Sequence, residues 1–244
     1  MSKRSNFEKI DKDKYRTPRE AVLPLLPQLP VGTQFCEPCA GNGILIDHLI
    51  AAGHQCVWAS DIEPERADIL PMDALDLSNV ADIRADMFIT NPPWTRSILH
   101  PMIDHLSAML PCWFLFDANW AFTLQSSDLI KRCSKIVPIG RVKWFPDTPY
   151  MGMDDSAWFE FLPGHTIGPR LVPRQDDRRA ARLIPVTQHE LPLETAPAPA
   201  AASPMAIQAQ SYMQRSAPML ARLRAKMRPM NIPSLKGEDP EIFR

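Results

Sequence analysis

Glycine is scarce in this chain, with nine residues in 244 against a usual ~7%. Each Gly-containing loop therefore marks a place where the backbone has to turn sharply or come close to a partner. No apolar run approaches the ~20 residues that cross a bilayer, and the opening MSKRSNFEKID has no apolar stretch of the secretory kind. Cysteine is sparse and odd in number (Cys36, Cys39, Cys56, Cys112, Cys133), which excludes a disulfide framework using all of them. These absences predict a soluble, cytoplasmic protein in a reducing environment. Surplus charge is lacking too: the formal net charge is -1, so a polyanionic partner does not follow from charge alone.

Proline is abundant instead, at 26 residues, roughly twice the usual ~5%. Charge is distributed unevenly. Residues 1–19 hold seven basic and three acidic side chains, residues 20–170 nine and eighteen, and residues 171–244 eleven and seven. All six tryptophans fall from Trp58 to Trp158, whereas residues 171–244 contain ten prolines and only Tyr212 and Phe243 as aromatics. The chain thus divides into a basic N-terminal arm (1–19), a core domain (20–170), a Pro/Ala-rich linker (171–204) and a basic, partly helical tail (205–244), whose residues 205–228 read as a basic helix interrupted at Pro218 or, alternatively, as a solvated, unordered segment.

Within the core, Gln34–Glu37 reads as a strand, Pro38 to Gly43 as a tight loop, and Ile44, Leu45, Leu49 and Ile50 as one helix face closed by Gly53. Residues 56–60 form a second strand ending on Asp61, residues 87–90 a third entering Asn91, and residues 97–109 a crossover helix. Further strands are expected at 112–116, 135–139, 141–145 and 156–161. Alternating strands and helices predict an α/β, doubly wound, Rossmann-like sheet, mostly parallel, with an antiparallel edge made by the late strands.

Ligands of such sheets lie outside the carboxyl ends of the strands. Glu37, Gly41, Gly43, Asp61 and Asn91 all fall there. Asp61, 18 residues after Gly43, stands where a carboxylate accepts from ribose hydroxyls. A third glycine is missing from the loop, and its first residue is acidic, so a dinucleotide pyrophosphate is disfavoured. Asn91-Pro92-Pro93-Trp94, directly after an apolar strand, is the sharpest signal. Cys36-x-x-Cys39 has no second pair, and the histidines lack metal-ligand spacing, so no metal site is expected. Asp117 and Asn119, past the fourth strand, are candidate substrate contacts.

Over residues 14–162 the chain resembles S-adenosylmethionine-dependent adenine-N6 methyltransferases, specifically the small DNA adenine methylases of phages and prophages. Tyr15-Arg16-Thr17-Pro18 is similar to the family's Tyr-x-Thr-Pro segment at the cofactor's methionine end. Glu37 to Gly43, with Ala40, Gly41 and Gly43, resembles its glycine loop. Asp61-Ile62 resembles its ribose acid, and Met72-Asp73-Ala74-Leu75 the segment whose Asp meets the adenine amine of the cofactor. Asn91-Pro92-Pro93-Trp94 looks like its catalytic tetrapeptide, with Trp94 where Tyr or Phe is commoner, and Asp155 to Phe159 like its late strand motif. The resemblance implies a DNA substrate.

The chemistry suits these residues. An adenine amine is a poor nucleophile because its lone pair is delocalised into the ring. Acceptors at Asn91 and the Pro92 carbonyl, stiffened by two prolines, would favour a localised lone pair. Trp94 is placed to stack on a base turned out of the duplex. The same chemistry serves RNA adenine and protein glutamine amides, although the short segment before the glycine loop disfavours the glutamine enzymes. A non-catalytic cofactor-fold protein that binds nucleic acid is the alternative of a different class.

Overall fold

The computed structural model describes residues 15–173 except 79, 81–82 and 146–148. Most of the N-terminal arm, the basic tail and all but the first three residues of the linker lie outside the described residues. The central strands are apolar on both faces. In β1 (Gln34–Glu37), β4 (Met87–Thr90) and β5 (Cys112–Asp117) every residue except Gln34 and Asp117 is buried, as expected of strands covered from both sides. With β2 (Gln55–Asp61) and β3 (Leu70–Pro71) they form the parallel half of an eight-stranded sheet of order β3-β2-β1-β4-β5-β7-β6-β8. From β1 the order runs outward in both directions, so a topological switch point opens at the carboxyl ends of β1 and β4.

The antiparallel part lies on the late-strand side of the sheet. Its reversed strand, β7 (Asp155–Phe161), is threaded between β5 and β6 (Cys133–Arg141), and the two-residue β8 (Arg170–Leu171) runs parallel to β6 at the rim. Arg141 to Phe145, expected as a separate strand, is not one. β6 absorbs Arg141, after a register shift at Gly140, whose φ of 85° is a conformation that L side chains rarely adopt. Beyond it the chain leaves the sheet, and the Val142 carbonyl accepts from the Gly152 amide at 2.8 Å, closing the loop. Trp144 and Phe145 are thereby turned away from the ladder toward Tyr15.

Alternation along the strands sorts the core into two layers. Phe88, Phe114, Phe116, Phe159 and Phe161 face α3 (Arg96–Ser107), while Phe35, Trp113, Leu115 and Trp158 face α1 (Arg19–Val22) and α2 (Ile44–Ala51). Between β5 and β6 no α-helix covers the α3 face. A run of 3-10 turns does so, and Trp120 from the first of them packs edge-on against Phe116 and Phe159, its indole N–H donating to His100 Nε2 at 2.8 Å. On the opposite face the Trp158 indole donates to the Ala21 carbonyl at 2.7 Å, docking α1 on β7. That bond delivers Tyr15 and Thr17 to the switch point.

Candidate active site

A cleft of about 680 Å³ opens at the switch point. Of the residues singled out in the sequence, Tyr15, Thr17, Glu37, Ala40, Gly41, Asp61, Ile62, Asp73, Ala74, Asn91 and Pro93 line it. Gly43, Pro92 and Trp94 do not. Gly43 begins α2 with φ 77° and lies against Arg66, so closely that a Cβ would stand 2.2 Å from Nη1. Pro92 is buried. Asp117 and Asn119 stay outside the cleft lining and bond each other, Asp117 Oδ1 accepting from the Asn119 amide and side chain at 2.9 and 3.0 Å.

The glycine loop is held by carboxylates. Asp61 Oδ2 accepts from the Gly41 amide at 2.8 Å and Oδ1 from the Glu63 amide at 2.8 Å, so one side chain ties the loop after β1 to the loop after β2. Each oxygen keeps a further lone pair. Arg66 braces the same corner through Asp68, Asp47 and the Gly43 carbonyl, and this pairing holds the Asp68 carboxyl below its usual range. Asp73 caps the turn that carries Ala74 and Leu75.

Glu37 is fully buried at the end of β1. Its Oε1 accepts from the Cys39 amide at 3.1 Å, and Oε2 has no hydrogen-bond partner among the described residues. Burial pushes its carboxyl up to about 8. The Thr90 hydroxyl and the Cys39 amide oppose that rise and the Asp61 charge adds to it. Among the described residues Thr90 Oγ1 and Ser60 Oγ are likewise without a hydrogen bond of full geometry, the Thr90 hydroxyl lying near enough to the Glu37 carboxyl to favour its anion. Buried atoms of this kind ordinarily find partners. Burial also raises the Cys39 thiol well above its ordinary range, so this cleft-lining sulfur stays protonated and unreactive.

Asn91, at the exit of β4, has a determined orientation. Nδ2 donates to the Tyr15 carbonyl at 3.2 Å and to Thr17 Oγ1 at 3.1 Å, while Oδ1 accepts from the Trp94 indole at 3.2 Å. Trp94 itself stands edge-on to Trp144, with ring centroids 5.6 Å apart. The cleft lining combines four acids (Glu37, Asp61, Glu65, Asp73) with one cation (Arg16) and the half-exposed apolar side chains Ile62, Leu75 and Ile98. Leu75 closes the Met72-Asp73-Ala74-Leu75 segment that the resemblance singled out, although only Asp73 and Ala74 were named as site residues. Ile98 was not legible, because it reads as one apolar position of the crossover helix.

No protein-family model and no curated protein matches the sequence. Among solved structures the chain is similar to a dimethyladenosine transferase from Plasmodium falciparum (14% identity, TM-score 0.41, 61% of this chain and 62% of that one). It is also similar to a TehB-like SAM-dependent methyltransferase from Corynebacterium glutamicum (14%, 0.38, 59% and 86%). A third is the methyltransferase subunit of a type I restriction-modification system from Streptococcus thermophilus (8%, 0.44, 62% and 45%).

Proposed function

We propose that this chain transfers a methyl group from S-adenosylmethionine to the N6 amine of adenine in DNA. The observation that carries the reading is the Asn91 side chain, fixed at the rim of an acid-lined cleft with its oxygen end chemically determined.

The donor set fits the cofactor. A buried carboxyl with an unpaired oxygen suits an ammonium, which assigns Glu37 to the methionine end. Asp61, with lone pairs left on both oxygens, suits ribose hydroxyls. Ile62, Leu75 and Ile98 offer apolar faces for a purine, and Asp73 beside them can accept from its amine. Four carboxyl groups around one cleft favour a cationic ligand. When bound, the cofactor supplies a methyl group activated by a sulfonium.

The protein's part is to make the amine a nucleophile. Asn91 Oδ1 would accept from one N–H of the amine, drawing the lone pair out of the ring; the resemblance assigns the second N–H to the Pro92 carbonyl, although Pro92 lies buried outside the cleft lining. Donation from Nδ2 to Tyr15 and Thr17 polarises the amide, which increases the negative charge on Oδ1. Asn91 Oδ1 would be held in place before the reaction, so the positive charge developing on the amine would meet a fixed dipole rather than mobile water. Transfer of that methyl would leave a surplus proton on the amine, which would pass to solvent because the Asn91 amide cannot hold it.

The test is incubation with S-adenosylmethionine and, separately, unmethylated DNA and RNA, followed by digestion to nucleosides and mass spectrometry. N6-methyladenine forms on DNA, and Asn91→Ala lowers the rate at least ~100-fold while cofactor affinity changes little. Product on RNA alone would replace the substrate and keep the mechanism. Cofactor binding with no product on either would overturn the enzymatic reading in favour of a binding protein.

A further inference from the structure

We propose that Trp94 is a positioning residue, whose indole N–H fixes the orientation of the Asn91 amide; the role rests on the reading of Asn91 given above. The indole nitrogen lies 3.2 Å from Asn91 Oδ1 and 3.1 Å from the Leu115 carbonyl, so one donor is shared between the amide and strand β5. An indole N–H can only donate, and the Tyr15 carbonyl on the other end of the amide can only accept. Turning the amide over would set its NH2 against the indole N–H and its oxygen against the Tyr15 carbonyl, losing both contacts. The two flanking groups therefore define which end of Asn91 carries the oxygen.

Oδ1 has a second lone pair, so the indole does not consume the acceptor that the substrate amine needs. Through the Leu115 carbonyl the same ring joins the Asn-Pro-Pro-Trp loop to the neighbouring strand, so loop and amide are held by one group. A phenyl or phenol ring has no donor at that position, and this explains a tryptophan here without asking its face to bind anything. Trp94 also lies outside the cleft lining, edge-on to Trp144.

Two measurements on the full chain decide the matter. The first replaces Trp94 by 3-benzothienylalanine, which keeps the bicyclic ring and removes the N–H, with Trp94→Phe as the genetic counterpart. The expected result is a single-turnover methylation rate at least tenfold lower, with DNA and cofactor affinities within twofold of the parent. An unchanged rate overturns the proposal. So does a loss confined to DNA affinity, which would make the ring a stacking platform.

The second measurement needs no activity. The Trp94 indole N–H resonance, assigned by its loss in Trp94→Phe, is compared in the parent and in Asn91→Ala. It shifts if the hydrogen bond exists, and a stationary resonance overturns the proposal. Should the parent methylate neither DNA nor RNA, the functional reading fails, and the resonance still reports whether Trp94 holds Asn91.

Discussion

Glu37 is an acid whose proton depends on whether the cleft is filled. With its carboxyl pushed up to about 8 by burial, it is mostly protonated at pH 7 in the free protein. Receiving an ammonium requires the anion. Lowering the pH from 8 to 6 cuts the ionised fraction about 50-fold, while the ligand's own α-amine, ordinarily near ~7.7–8.0, gains about two- to threefold in its charged form. Cofactor affinity measured by calorimetry should accordingly weaken roughly 15–25-fold over that range, and Glu37→Gln should bind weakly at pH 8 without that loss. An unchanged pH profile in Glu37→Gln would remove Glu37 from the ammonium site. Stability of the free protein runs the other way. A raised folded-state value means that the folded protein holds the proton more tightly than the unfolded chain between the usual carboxyl range and about 8. Raising the pH through that window therefore lowers the melting temperature, and Glu37→Gln flattens the slope.

At the scale of elements, the corner between α2 and the segment after β2 depends on Gly43 and Arg66. An alanine at 43 has to adopt a positive φ and displace a guanidinium that bridges Asp47 and Asp68. Gly43→Ala should cost about 1–3 kcal/mol, a fall of roughly 3–8 °C in a thermal unfolding scan. Adding Arg66→Ala should recover only the steric part, and an unchanged melting temperature in the single variant would show that the corner yields freely. The elements themselves were unequally legible. Central strands such as Phe114 to Phe116 announced themselves as continuous apolar runs. The segment Arg141 to Phe145 carries the same β-forming residue types but follows Gly140 and has no ladder partner beyond Arg141, which composition does not reveal. The 3-10 turns that carry Trp120 were illegible because three to five residues are too few to establish a period.

Across the whole molecule, the site is assembled from segments far apart in the chain. Asn91 is oriented by Tyr15 and Thr17, 76 and 74 residues away in sequence, and those two are delivered by α1, itself docked through Trp158. The individual motifs were readable from the sequence because strand ends in this topology converge. The orientation of one amide by a carbonyl and an indole was not readable, since neither residue type implies it. Arg16 is exposed, whereas Thr17 across the scissile bond is buried, so trypsin can cut after Arg16 only when this segment lifts from the cleft. Cutting after Arg16 would release Tyr15 and leave the sheet, both core layers and α1 in place. The nicked protein should keep a cooperative unfolding transition in calorimetry while its methylation rate collapses, and bound cofactor should slow the cut. Retention of full activity after complete cleavage would show that the Tyr15 carbonyl is dispensable. Held by two hydrogen bonds from Asn91 and by ring contacts with Trp144 and Phe145, the Tyr15 segment would make the proposed activity severable from the fold, so that a protease could silence it without unfolding the protein.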